Sequence, residues 1–322
     1  MSETFFDRLP LSRTAVDRDA AGRDVPGALE AAWADPATRV LVLGRRKALL
    51  ADDPGRLRLG LLPPAEVPDP QLVLYLGRTL EVSEDGPAGT IVLAALVDDA
   101  TADAIAADDS RWADLRTQGA TLDARDAGLF TEALGLANWH GTHGHSPRTG
   151  LPTVAGRSGW VRYPEGHEEE SSGEHVFPRT DPAVIVGVVD ARERLLLASN
   201  VAWPEDRYSV VAGFVEPGES FEAAVVREVW EETRVPVAST EYLGSQPWPF
   251  PASVMIGFLA RTAPHAAPEP EADGIEIREA RFFEREELAE AAAAGRIRLP
   301  GRTSIARAII EHWYGGELQG DW

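Results

Sequence analysis

Cysteine is absent from all 322 residues. That excludes disulfides, thiol nucleophiles and any cysteine-ligated zinc or iron–sulfur centre. Long apolar runs are missing too: the most hydrophobic stretch, Ala183 to Val189, falls far below the roughly 20 residues needed to span a bilayer. Met1-Ser2-Glu3-Thr4 has neither a basic cap nor an apolar run, so a soluble, cytoplasmic protein without a membrane partner is expected. Positive charge is scarce, with 31 Lys and Arg against 52 Asp and Glu and a net charge of -21. Such a surface repels nucleic-acid backbones and anionic membranes, and an anionic substrate needs a local cationic site or a bound metal. The length suits two domains.

The chemistry-bearing residues concentrate in Gly213 to Val235. Ser220 is placed to cap a helix, and neither proline nor glycine interrupts Phe221 to Thr233. Ala224, Val225 and Val229, with Phe221, recur at core-facing spacing, while Glu228, Glu231 and Glu232 stand at i, i+3 and i+4 and crowd a neighbouring face. Like charges so placed repel by roughly a few tenths of a kcal/mol per pair. A divalent cation turns that cost into a site, and oxygen-only ligation suits Mg²⁺ or Mn²⁺, whose usual partner is phosphate. A solvated acidic face is the other reading of this spacing.

Gly213, five residues, Glu219, seven residues, then Arg227-Glu228-Val229-Trp230-Glu231-Glu232 resembles the Nudix box. The box ends on a glycine that supplies a left-handed helix exit; here Arg234 stands there, at a cost of roughly 1 kcal/mol. Phe177-Pro178-Arg179-Thr180-Asp181-Pro182 resembles the entry to the Nudix domain of the NAD(H) diphosphatase (NADH pyrophosphatase) family, and Ala212 to Glu219 its form of the box. Ser245-Gln246-Pro247-Trp248-Pro249-Phe250-Pro251-Ala252-Ser253 is similar to the signature that marks this family among Nudix enzymes. The resemblance covers about Trp112 to Trp313, and the N-terminal part more weakly.

The expected fold is α+β. Residues 1–135 read as an N-terminal α/β domain, with strands at Arg39–Leu43, Lys47–Leu50, Gln71–Arg78 and Ile91–Val97, a turn at Ala20–Gly27, a helical zone beginning around Ala102–Arg116 and a long helix from Leu122 to Trp139. Residues 136–181 resemble the family's zinc ribbon, but Ser146-Pro147-Arg148-Thr149-Gly150 stands where Cys-x-x-Cys-Gly is usual, and the second cysteine pair is missing. A metal-free, zinc-ribbon-like linker follows, held by packing through Trp139 and Trp160, with no zinc expected. His140, His143 and His145 are close in sequence but lack the separated ligand pairs of a structural zinc site. Residues 182–316 are expected to form the Nudix α/β/α sandwich, with the acidic helix between mixed sheets.

The resemblance implies hydrolysis of the pyrophosphate of NAD(H) to AMP and nicotinamide mononucleotide, with Mg²⁺ or Mn²⁺. It implies Glu228 and Glu232 as principal metal ligands, Glu231 as a further ligand or the water-activating base, Glu219 assisting from the loop and Arg227 holding a box carboxylate. Glu276 is the implied fourth carboxylate, with Glu279 as the alternative. Trp248 and Phe250, between prolines, suit a preformed stacking wall for a dinucleotide, and Phe177 another ring. Ser245 and Gln246 are candidates for ribose or base contacts, and Ala212 and Phe214 for backbone contacts. A homodimer is implied, and an NAD-capped RNA 5′ end is a candidate substrate. The alternatives are a Nudix hydrolase of another nucleoside diphosphate derivative, such as ADP-ribose, and a non-catalytic dinucleotide-binding Nudix protein.

Overall fold

The computed structural model describes residues 4–167, 174–263 and 269–321. Parts of 165–175 and of 263–274, both of which read as loops in the sequence, lie outside the described residues. The chain packs as two units: Arg13–Thr180 with Trp248–Ala252, and Met1–Ser12 with Asp181–Pro247 and Ser253–Trp322.

The first unit is built on a seven-stranded sheet ordered Val16–Asp17, Leu72–Thr79, Ile91–Val97, Arg39–Gly44, Lys47–Leu49 and Trp112–Ala113, with Leu61–Leu62 added to Arg39–Gly44. Arg39–Gly44 and Ile91–Val97 pair in parallel at its centre. Their near-continuous apolar sequences fit burial on both faces. Ala124–Thr142 is a helix whose first turn is capped by the Asp123 carboxylate. Two local expectations change. Ala20–Gly27 contains a short helix at Ala20–Arg23, and Trp112–Ala113 is a strand because it completes the sheet edge beside Lys47–Leu49.

The ribbon-like segment forms a hairpin of Thr153–Gly156 and Val161–Pro164. Ser146, at the place of the first ribbon cysteine, is buried, and its hydroxyl accepts from the N–H groups of Arg148 and Thr149. Arg162 donates to the Thr153 hydroxyl at 2.8 Å and to His140 Nδ1 at 2.7 Å. A guanidinium can only donate, so His140 is neutral and its Nε2–H donates to the Gly159 carbonyl at 2.8 Å. Burial, with Arg162 alongside, pushes His140 down to about 4. Trp139 is buried against His140, and Trp160 donates to the Tyr75 carbonyl with Arg23 stacked 3.7 Å from its ring centre.

In the second unit one six-stranded mixed sheet carries both cores. Its order is Val237–Trp248, Ser253–Thr262, Asp181–Val189, Leu195–Asn200 and Ile277–Phe283, with Val211–Phe214 antiparallel on Asp181–Val189. Alternation along Asp181–Val189 sends Val184, Val186 and Val188 toward the acidic helix Phe221–Thr233. Ile185 and Val189 point to the other core, with the helix Ile305–Tyr314. This is the expected α/β/α sandwich, but with a single mixed sheet between helices rather than the acidic helix between two sheets, because the strands on either side of that helix in sequence join one sheet. Among the described residues no helix is long and apolar enough to cross a membrane.

Candidate functional site

The acidic helix begins where Ser220 accepts from the Ala223 N–H at 3.1 Å. Ala224, Val225 and Val229 are buried under the sheet, whereas Phe221, in the first turn, is exposed and leaves the core stripe. The helix ends on Arg234 at φ 59°, ψ 14°, the left-handed exit that glycine usually supplies. Arg234 donates from its backbone and its guanidinium to the Trp230 carbonyl, satisfying an end-of-helix acceptor.

Arg227 organises the carboxylates. It donates to both Glu219 oxygens at 2.9 Å, to Glu228 at 2.8 Å, to Glu231 at 3.1 Å and to the Phe214 carbonyl at 3.0 Å. Arg227 thus ties the loop, the neighbouring strand and the helix together. Its hydrogen bonds hold the Glu219 carboxyl below the usual range, and the same bonds, Glu219 first, raise its own affinity for a proton. Glu228 is pushed up because its burial outweighs the pull of Arg227.

Gly213 explains how Glu228 reaches this position. A Cβ on residue 213 would lie 2.0 Å from the Glu228 carboxyl carbon, so the glycine is the space the carboxylate occupies. That requirement for the first glycine of the box follows from contact, not from any special backbone angle.

Glu232 is buried, and no cation pairs with it among the described residues. Burial first, then Glu228, Glu276, Asp273 and Glu231, push it up to about 8. Glu276 therefore acts electrostatically on Glu232, as it does on Glu228. The alternative, Glu279, accepts a 2.7 Å hydrogen bond from the Tyr208 hydroxyl. Among the described residues no three carboxylate or imidazole groups stand in a ready-made metal shell. The donor chemistry nevertheless fits a hard dication: oxygen ligands only, with a buried, uncompensated carboxylate among them.

Gln246 is fully buried; its side-chain oxygen accepts from the Leu11 N–H at 3.3 Å, and its amide donates to the Thr303 carbonyl at 2.9 Å. The Ser245 carbonyl accepts from the Ser12 hydroxyl at 2.7 Å. Ala212 and Phe214 lie exposed on the strand that carries Gly213. Trp248, Phe250 and Phe177 belong to the other unit. There Trp248 and Phe250 meet edge to face at 4.8 Å with Arg116 over both rings, and Phe177 is exposed beside His175.

Sequence reasoning passed over Asp273. It accepts from the N–H groups of Ile275, Glu276 and Ile277, and an Asp-Gly pair three residues before a candidate ligand was the available signal.

The NUDIX domain family matches residues 179–300, and the NADH pyrophosphatase-like rudimentary NUDIX domain matches residues 37–139. The first unit, expected only as an α/β domain, is thus Nudix-like itself. The NAD-capped RNA hydrolase NudC of Mycobacterium tuberculosis H37Rv is 41% identical, over 94% of this chain and 94% of its own. NudC of Mycobacterium bovis BCG Pasteur gives the same figures. The human NAD-capped RNA hydrolase NUDT12 is 35% identical over 60% of this chain and 42% of its own length. With this identity across nearly the whole of both mycobacterial chains, the protein belongs to the NudC branch of the Nudix hydrolase family.

Proposed function

We propose that the protein hydrolyses the pyrophosphate bond of NAD(H), giving AMP and nicotinamide mononucleotide. The observation that carries this reading is Glu232, a buried carboxylate with no paired cation among the described residues, facing the charges of Glu228, Glu231 and Glu276. Such a cluster is costly in a resting protein and useful to one that handles a metal-bound pyrophosphate. Glu228, Glu232 and Glu276, with Glu231, would hold Mg²⁺ or Mn²⁺, which when bound neutralises pyrophosphate charge and acidifies water.

The chain's own residues supply the rest. Arg227 fixes Glu219 and Glu228, so these carboxylates need little reorganisation when substrate arrives. Glu231, on the same guanidinium but more exposed, is available as the base that takes a proton from the attacking water, or as a further ligand. Water oxygen bonds to one phosphorus, the bridging P–O bond breaks, and the leaving phosphate departs as a mononucleotide. Glu276 serves as the fourth carboxylate, since Glu279 is engaged by Tyr208.

Trp248 and Phe250 are proposed as ring-stacking residues and Phe214 as the apolar flank beside Gly213. Gln246 supports the signature loop from the core, its amide being engaged on both sides. A homodimer is proposed on family grounds. The relatives' names extend the reading to NAD-capped RNA; at a net charge of -21, a short 5′ end entering the site fits better than broad contact with an RNA body.

The test is a substrate panel of NADH, NAD⁺, ADP-ribose and a short NAD-capped RNA with Mg²⁺ or Mn²⁺, with products identified by mass. AMP and nicotinamide mononucleotide from NAD(H) are expected. Preferential cleavage of ADP-ribose selects the related-hydrolase reading, and binding without turnover the non-catalytic one.

A further inference from the structure

The turn that carries Glu276 is fastened to the acidic helix by the main chain around Asp273. Asp273 Oδ1 accepts from the N–H groups of Ile275 at 3.1 Å, Glu276 at 3.1 Å and Ile277 at 2.8 Å. Gly274, at φ +70°, allows the chain to turn tightly enough for its own N–H to donate to the Ile277 carbonyl at 3.0 Å. The backbone then reaches the helix end: Asp273 N–H donates to the Glu232 carbonyl at 3.2 Å, and Glu271 N–H to the Thr233 carbonyl at 2.9 Å. These carbonyls lie in the last turn, where no intrahelical donor remains. On the far side of the turn, Val201 N–H donates to the Glu276 carbonyl at 2.8 Å.

We propose that Asp273 is a positioning residue: by gathering three N–H groups and docking its own on the Glu232 carbonyl, it holds Glu276 at the carboxylate cluster. Asp273 does not itself touch substrate. Three short bonds from one oxygen fix the main chain of residues 275 to 277, and the two links to the helix fix the turn against the element that carries Glu228, Glu231 and Glu232. Glu276 is exposed and has no side-chain partner of its own among the described residues, so its placement depends on this backbone.

The inference rests on the reading of Glu276 as a catalytic-site carboxylate, and the test separates the two. Full-length Asp273→Ala, Asp273→Asn, Glu276→Gln and the Asp273→Ala/Glu276→Gln double variant are compared by NADH turnover and by Mn²⁺ binding followed by electron paramagnetic resonance. Asp273→Ala is expected to lose about 10- to 100-fold in turnover and in Mn²⁺ affinity, as supporting residues around metal ligands do. Asp273→Asn keeps the Oδ1 acceptor and restores most of both. In the Glu276→Gln background, Asp273→Ala adds less than about twofold, because the two act as one unit. Asp273→Ser, which can accept one of the three N–H groups, gives an intermediate loss and decides the matter if the alanine variant does not fold. Wild-type turnover and Mn²⁺ affinity in Asp273→Ala beside an impaired Glu276→Gln overturn the positioning role alone, as does an asparagine variant no better than alanine. Wild-type behaviour of Glu276→Gln overturns the site reading and the proposal with it.

Discussion

Replacing Gly213 by alanine separates activity from stability. The residue sits in a strand paired with Val184, with no left-handed backbone to disturb, so alanine adopts its conformation freely. The added methyl would lie 2.0 Å from the carboxyl carbon and one oxygen of Glu228, whereas real contacts of this kind stay beyond 3.0 Å. The carboxylate must therefore retreat by about 1 Å, and it is the end of a flexible side chain, so the retreat costs little folding energy. It costs the site more. Glu228 is held at 2.8 Å by Arg227, and a shift of this size breaks that bond or drags the guanidinium away from Glu219 and Glu231. A misplacement of about 1 Å at a reacting centre lowers the rate about 10²-fold, equivalent to about 2.7 kcal/mol of barrier. Steady-state NADH hydrolysis with saturating Mn²⁺, beside a thermal melt, reads both quantities. The expected result is a kcat about 10²-fold down with Tm nearly unchanged; a kcat within about threefold of wild type would refute the argument that this glycine is the seat of Glu228.

Further tests concern the first unit. Glu132 is buried near Arg18, one of its oxygens has no hydrogen-bond partner among the described residues, and burial pushes it up to about 7 from 4.5. The folded protein thus holds this proton more tightly than the unfolded chain, so stability falls as pH rises from 4.5 to 7. Glu132→Gln should flatten that slope and stabilise the protein at pH 8 by up to about 3 kcal/mol in urea titrations; an unchanged slope contradicts it. His140 runs the other way: its folded value near 4, below the ordinary 6.5, means stability is complete above 6.5 and falls by about 3 kcal/mol as pH drops through 4, a loss that His140→Gln should largely remove from the acid limb. Arg162→Ala, leaving the Thr153 and His140 acceptors without their donor, should cost about 2–4 kcal/mol. Elemental analysis should find no stoichiometric zinc in the purified chain; one equivalent would mean that the ribbon-like hairpin holds metal through other ligands.

The parts legible in the sequence were those written in local pattern. Ser220 and the uninterrupted run to Thr233 specified a helix, Ile91–Val97 read as an apolar strand, and the apolar residues on both faces of Ala183 to Val189 marked a central strand. The acidic spacing gave the identity of the clustered groups but not their division of labour, in which Arg227 takes Glu219, Glu228 and Glu231 while Glu232 is buried with no cation paired to it among the described residues. Local pattern fails where placement is set by distant partners. Gln246 is fixed by Leu11 and Thr303, residues far off in sequence, and nothing near it announces that its amide is engaged. Asp273 escaped notice because its work is done on backbone N–H groups, which leave no trace in residue types beyond the following Gly274. The Nudix-like character of residues 37–139 was hidden for a related reason: the sheet is there, but no carboxylate box marks it.

NADH hydrolysis by full-length Glu232→Gln, compared with wild type in Mg²⁺ or Mn²⁺, tests the acidic helix most directly. The buried, cation-starved carboxylate at the end of the acidic helix is assigned to catalysis, so the variant should lose about 10³-fold or more in kcat. Replacing a carboxyl whose ionisation the fold disfavours should leave Tm equal to or above wild type. Turnover retained near the wild-type rate, with AMP and nicotinamide mononucleotide still formed, would contradict the claim that this helix is the catalytic centre.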